Sequence, residues 1–119
     1  MSNNPVDIMK ICVTAKESGI DAQVEERFGR APYFVFIDEE TGDAATVLNT
    51  GAGGAGGVGI KSAQIMVDNG AKVVITGQVG GNANSALSAA GIAVYTYRAG
   101  GSVKDAVAAY QAGTLQRIL

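Results

Sequence analysis

The stretch Val73-Val74-Ile75-Thr76-Gly77-Gln78-Val79-Gly80-Gly81-Asn82-Ala83 decides the fold. Its first four residues form a short apolar strand of the kind that is buried on both faces of a parallel sheet. A glycine-rich loop follows over 77–81. The sequence then predicts a helix over 83–90, with Asn82 as its N-cap and Gly91 as its stop.

The rest of the chain supplies four more strands and two more helices. The predicted strands are 9–14, 33–38, 45–49, 73–76 and 92–97, and the predicted helices are 58–69, 83–90 and 103–112. A hairpin followed by two right-handed crossovers indicates an α/β fold with a five-stranded mixed sheet. If strand 1 is central, the order is 3-2-1-4-5, with only strand 2 antiparallel.

This order brings four loops to one edge of the sheet, where open α/β sheets bind their ligands. These loops cover 15–30, 50–58, 77–82 and 98–102. Ser102 and Asp105 form a capping-box pattern at the start of the third helix.

Composition limits the functional classes. The 119 residues carry a net charge of −2, which argues against nucleic acid as a partner. No apolar run reaches the length of about 18 residues that suggests a membrane span. Residues 1–8 are expected to be a flexible extension and 9–119 a single domain. The chain contains no histidine and only one cysteine. A single cysteine cannot form an internal disulfide, so a cytoplasmic location is expected.

Nucleotide-binding motifs fail in the glycine run 51–59. Its G-x-G-x-x-G matches follow from glycine content alone, and no acidic residue ends the next strand, as a dinucleotide site requires. Ile60 separates Gly59 from Lys61, which breaks the P-loop pattern. General acid–base chemistry would need carboxylates in place of histidine, but the only acids after Asp43 lie on helices. A buried structural thiol is the favoured interpretation of Cys12, with a nucleophile or a metal ligand as the alternatives.

Three segments together resemble the dinitrogenase iron–molybdenum cofactor biosynthesis family. They are Glu26-x-Phe28-Gly29-Arg30-Ala31-Pro32-Tyr33-Phe34, Gly54–Ile60 and Val74–Ala83. The resemblance covers about residues 9–115. It implies a ribonuclease-H-like three-layer fold and a non-catalytic role in binding, storing or carrying a preformed metal–sulfur cluster. The chain is most similar to small single-domain members that hold a molybdenum–copper sulfide cluster, with an iron–molybdenum cofactor precursor as the alternative cargo.

The resemblance also leaves a protein partner open, such as an ATPase or a cluster-assembly protein. In that alternative, the chain is an adaptor that never holds metal. A nuclease, which the implied fold also allows, is disfavoured because strand 1 offers Lys10 and Cys12 where a metal-binding acid is needed.

One departure from the family pattern points to the chemistry of the site. Several relatives carry a histidine in the glycine loop, whereas this chain has only Gly56 and Gly57 there. A cluster that receives few soft ligands must bring its own sulfides, and as a compact anion it is held by backbone amides, helix N-termini and arginines. The candidate cluster-binding residues are Thr14, Phe28, Gly29, Arg30, Gly53, Gly54, Gly56, Gly57, Gly77, Gln78, Asn82 and Arg98. For Arg27, an ion pair with Glu17, Glu25 or Glu26 is favoured. For Arg30, such an ion pair is an open alternative to cluster binding.

Overall fold

A computed structural model describes residues 10–50 and 58–118 of the chain. The strands are β1 (Lys10–Ala15), β2 (Tyr33–Asp38), β3 (Ala44–Leu48), β4 (Ala71–Thr76), β5 (Ala93–Thr96) and β6 (Gln116–Arg117). The helices are α1 (Val58–Asp68), α2 (Gly81–Ala89) and α3 (Val103–Gln111). The predicted extension 1–8 and residues 51–57 of the glycine run lie outside the described residues.

The strands form one mixed sheet in the order β3-β2-β1-β4-β5-β6. β1 pairs antiparallel with β2 and parallel with β4, and β4 pairs parallel with β5. The predicted order of the first five strands is confirmed. The predicted count of five is wrong, because β6 adds an antiparallel edge to β5. β6 carries no recognisable strand pattern, because it consists of only two residues, both polar and exposed.

Helices cover both faces of the sheet. One core layer packs side chains of α1 and α2, such as Met66 and Leu87, against Cys12 and Val74 of the sheet. The opposite layer packs α3 through Val103 and Ala106 against residues including Ile11, Val13 and Ile75. Alternate residues of β1 therefore enter different layers, as the two-residue period of a strand requires. This confirms a mixed α/β architecture with three helices among the described residues, whereas the ribonuclease-H-like name stays a prediction.

The starts of two helices test the predicted caps. At α3, the Asp105 amide donates to Ser102 Oγ at 3.3 Å and the Ser102 amide donates to Asp105 Oδ2 at 3.1 Å, which confirms the capping box. At α2, the predicted N-cap is wrong. Gly80 has the extended backbone of the cap and Asn82 lies inside the first turn, because the Gly80 carbonyl already accepts the Asn84 amide at 2.8 Å.

None of the helices in the described part of the chain is both long and apolar enough to cross a membrane.

Candidate functional site

A groove opens where β4 ends and α2 begins. Its volume is about 390 Å³. We call it the α2 groove; it is lined by Arg27, Phe28, Gly29, Arg30, Gln78, Val79, Gly80, Gly81, Asn82 and Ala83. One wall is the segment 27–30, which we call the arginine loop, and the other wall is the turn that leads into α2.

The arginine loop is fastened to the end of β4 through backbone hydrogen bonds. The carbonyl oxygen of Glu26 accepts the amides of Gly77 at 2.9 Å and Gln78 at 2.7 Å. In return, the Gln78 carbonyl accepts the Phe28 amide at 3.1 Å. The two walls of the groove are therefore held together as a short parallel bridge between Arg27 and Gln78.

The close approach of Glu26 to the end of β4 requires a glycine at position 77. A Cβ atom at that position would lie 2.6 Å from Glu26 Cβ and 2.8 Å from the Glu26 carbonyl oxygen. Such distances are shorter than real Cβ contacts allow, so any larger residue must push the arginine loop away from β4. The predicted site residue Gly77 thus acts by allowing the walls to meet.

Two buried threonine hydroxyls contact the backbone that leads into the arginine loop. Thr14 is fully buried, and its Oγ1 donates to the Glu25 carbonyl at 2.5 Å and lies 2.8 Å from Thr76 Oγ1. Thr76 Oγ1 in turn lies 3.3 Å from the Glu26 carbonyl oxygen. The structure therefore places the predicted site residue Thr14 beneath the loop, where its hydroxyl already has protein partners.

The N-terminus of α2 lies at the groove, which is lined by residues 81–83. In an α-helix, the first amides have no acceptor within the helix, so those of Gly81, Asn82 and Ala83 depend on other partners. The N-cap Gly80 has no side chain to accept them, and the first turn contains no acidic residue. This end of the helix therefore carries the positive end of the helix dipole without a capping side chain.

Arg27 is held by an acid, as its favoured interpretation predicts. Glu25 Oε2 accepts the Arg27 amide at 3.0 Å and Arg27 Nε at 3.3 Å. Burial acts to raise the pKa of Glu25, but hydrogen bonds from Arg27 and the attraction of Arg27 and Lys16 outweigh it, so this pKa lies below its ordinary value. The pairing fixes the start of the arginine loop.

Arg30 is exposed on the other end of the loop, whose backbone is anchored by a residue that the sequence did not reveal. Asn49 Nδ2 donates to the Gly29 carbonyl at 3.2 Å and to the Ala31 carbonyl at 2.8 Å. Nothing in the local sequence pattern marks Asn49, which the sequence predicts as the last residue of the strand 45–49.

A second groove of about 280 Å³ adjoins the first and shares Arg27 and Gln78 with it. We call it the Arg98 groove; its lining includes Lys16, Glu25, Tyr97 and Arg98. Arg98 Nε donates to the Gly77 carbonyl at 3.0 Å. Arg98 therefore contacts the end of β4 from the side of the Arg98 groove and does not line the α2 groove.

Cys12 lies in the core. It is fully buried, and burial raises the pKa of its thiol well above the ordinary value. Within residues 10–50 and 58–118, no group of three or more histidine, cysteine, aspartate or glutamate side chains is placed to hold a metal ion. The geometry thus favours the structural interpretation of Cys12 over metal ligation.

The structure brings together part of the predicted site. Five of the predicted residues line the α2 groove, namely Phe28, Gly29, Arg30, Gln78 and Asn82. Of these, Phe28 is almost completely buried and packs against Phe34 with ring centroids 5.7 Å apart, so it forms part of the groove floor. Glycines 53, 54, 56 and 57 lie outside the described residues.

The fold and the groove together define a class: small mixed α/β domains that present helix N-terminal amides and arginines at one edge of the sheet. The profile of the family named "Dinitrogenase iron-molybdenum cofactor" matches residues 9–113. The chain belongs to this family, which confirms the resemblance seen in the sequence.

Solved structures agree with this assignment. The apo form of the orange protein from Desulfovibrio gigas is 39% identical over 93% of both chains, with a TM-score of 0.89. A Thermotoga protein described as NifB-like is 35% identical over 91% of both chains, with a TM-score of 0.81. A protein of Methanocaldococcus jannaschii with 15% identity over 93% of this chain and 95% of that one, and a TM-score of 0.64, shares the fold alone. No curated protein matches the chain.

Proposed function

We propose that this protein binds and carries a preformed anionic metal–sulfur cluster in the α2 groove, without catalysing a reaction. The observation that carries the proposal is the N-terminus of α2, whose residues 81–83 line the groove and whose cap has no side-chain hydrogen bond. Helix N-termini of this kind bind anions through their amides and their dipole.

The donor set fits a cluster that brings its own ligands. Backbone amides and guanidinium groups donate hydrogen bonds and do not coordinate metals, so they suit the sulfides on the outside of a cluster. Cys12 is buried, and the described residues assemble no metal-ligating group. The groove volume of about 390 Å³ lies in the range of small-ligand sites, about 300–1,000 Å³.

The preferred cargo is a molybdenum–copper sulfide cluster. The likeness to the orange protein over 93% of the chain supports this choice, since the resemblance of the sequence is to small members that hold such a cluster. An iron–molybdenum cofactor precursor is the alternative cargo, supported by the family itself.

Reconstitution tests the proposal directly. The protein is incubated without oxygen with tetrathiomolybdate and Cu(I), desalted, and analysed for molybdenum, copper and visible absorption. We expect metals in fixed ratio to protein and a visible spectrum that stays with the protein peak. A colourless protein without metal would overturn the proposal, and a metal-free complex with a protein from cell extract would then favour the adaptor alternative.

Substitution at Arg30 tests the location. A hydrogen bond to a charged group contributes about 1.5–3 kcal/mol, so Arg30→Ala is expected to weaken retention about ten- to hundredfold. Lys72→Ala is the matched control, because it also removes one exposed positive charge but lies near the opposite end of β4. Equal losses in the two variants would show a general charge effect and would contradict binding in the α2 groove.

Arg98 tests the extent of the bound cluster. Arg98→Ala leaves the lining of the α2 groove intact but removes a cation of the adjoining Arg98 groove. A cluster confined to the α2 groove should be weakened less by Arg98→Ala than by Arg30→Ala. Equal weakening in the same titration would place the cluster across both grooves.

A further inference from the structure

Asn49 connects three parts of the molecule through one buried side chain. It follows β3 and is only 4% exposed. Its Nδ2 donates to the carbonyls of Gly29 and Ala31, at 3.2 and 2.8 Å, and its Oδ1 accepts Ser62 Oγ of α1 at 3.3 Å. Its backbone amide also donates to the Pro32 carbonyl at 3.0 Å. The two carbonyls held by Nδ2 are those on either side of Arg30.

We propose that Asn49 is a positioning residue of the α2 groove, which sets the backbone of the arginine loop so that Gly29 and Arg30 meet the cluster. This inference rests on the proposed function. Asn49 itself does not line the groove, so it acts through the residues whose carbonyls it holds. Through Ser62 it also couples the loop to α1.

The chemistry of the position calls for a primary amide of this length. Two carbonyls need two donors and the Ser62 hydroxyl needs an acceptor, and an asparagine side chain supplies both kinds of group in one plane. Ionised aspartate has no donor, and its protonated form has only one. In either state, a buried carbonyl of the loop loses its partner, which favours a shift of the loop toward solvent.

The first experiment compares Asn49→Asp with the unaltered protein. Anaerobic titration with tetrathiomolybdate and Cu(I) is followed by visible absorption. We expect about tenfold weaker binding, the effect of losing about 1.4 kcal/mol of hydrogen-bond energy. Asn69→Asp is the matched control, because Asn69 Nδ2 donates to the Ile65 carbonyl within α1, and it should bind as the unaltered protein does.

A double-mutant cycle separates positioning from general loss of structure. If Asn49 acts through Arg30, Asn49→Asp should weaken binding much less in an Arg30→Ala background than in the unaltered protein. If Asn49→Asp fails to fold, Asn49→Ser is used, since its hydroxyl retains one donor and produces a smaller defect. The visible spectrum of the bound cluster should also shift in the folded variant, because the donors around its sulfides move.

The outcomes distinguish this role from the proposed function. Binding by the unaltered protein together with equal binding by the Asn49 variants overturns the role of Asn49 and leaves the function standing. Fully additive losses in the cycle also overturn it, because they show that Asn49 and Arg30 act independently. No binding by the unaltered protein overturns the proposed function, and the role of Asn49 with it.

Discussion

Gly77→Ala probes the contact on which the α2 groove depends. The added methyl group would lie 2.6 Å from Glu26 Cβ and 2.8 Å from both Glu26 Cα and the Glu26 carbonyl oxygen. Two of these atoms belong to the backbone, so a side-chain rotation cannot relieve the clash. The loop must move, and the Glu26 carbonyl then loses the amides of Gly77 and Gln78 that it now accepts at 2.9 and 2.7 Å.

The expected cost follows from these contacts. Overpacking in a buried site costs about 1–3 kcal/mol, and each weakened backbone hydrogen bond adds about 0.5–1.5 kcal/mol. Since the two effects partly relieve each other, we expect the free energy of unfolding to fall by about 2–4 kcal/mol. A domain of this size loses about 4 °C of Tm per kcal/mol, so Tm should fall by about 8–16 °C.

Thermal unfolding and urea denaturation measure this loss, and the reconstitution assay measures retention of the cluster. Gly81→Ala is the control, because a Cβ atom there meets nothing within 4 Å and alanine has a higher helix propensity than glycine. Its Tm should be unchanged or higher. A Gly77→Ala protein with the Tm and cluster retention of the unaltered protein would refute the close-approach explanation of Gly77.

Three further changes test the supports of the site and the cap of α3. Thr14→Val keeps the shape of the side chain but removes the donor to the Glu25 carbonyl, so urea denaturation should show a loss of about 1–3 kcal/mol. Because the pKa of Glu25 is lowered in the folded protein, its stabilising effect is present above the ordinary value of 4.5 and is lost as pH falls through the folded-state pKa. Glu25→Gln should therefore flatten the acid limb of a plot of stability against pH, and an unchanged limb would contradict the pairing with Arg27. The backbone amide of Ser102 and, to a smaller extent, its side chain lower the pKa of Asp105. Ser102→Ala removes only the side-chain hydrogen bond, so an NMR titration should show the pKa of Asp105 rising part of the way toward its ordinary value.

Strong local patterns made most of the sheet predictable. β2 (Tyr33–Asp38) was predicted at its observed bounds, because aromatic and β-branched residues mark a strand clearly. β4 begins two residues before the predicted start, because Ala71 already pairs with Lys10 of β1. The next residue, the exposed Lys72, interrupts the apolar run and is skipped in the register, since Val73 pairs with Ile11. β6 was not predicted, because its two exposed residues, Gln116 and Arg117, show no strand pattern of their own. They pair with β5 because the chain lies beside β5 after α3 ends.

The groove was predictable where its residues belong to glycine-rich turns and the arginine loop. Gln78 and Asn82 follow a buried strand, so the sheet topology alone places them at the edge where the candidate site was expected. Asn49 was not predictable, because its function depends on backbone carbonyls that lie 18 and 20 residues earlier in the chain. A side chain that binds distant backbone atoms leaves no periodic or compositional signal in its own neighbourhood.

Arg98 shows why sharing an edge of the sheet does not mean sharing a site. The topology brings the loops after β1, β4 and β5 to the same edge, and on that ground Arg98 and Arg30 were expected to act together. The Glu26 carbonyl, however, fastens the loop after β1 to the start of the loop after β4, and this contact divides the edge into two grooves. Arg98 bonds the Gly77 carbonyl from the far side of that division. The pairing of loops with one another, which depends on a glycine small enough for backbones to meet, therefore decides which cations line the same groove.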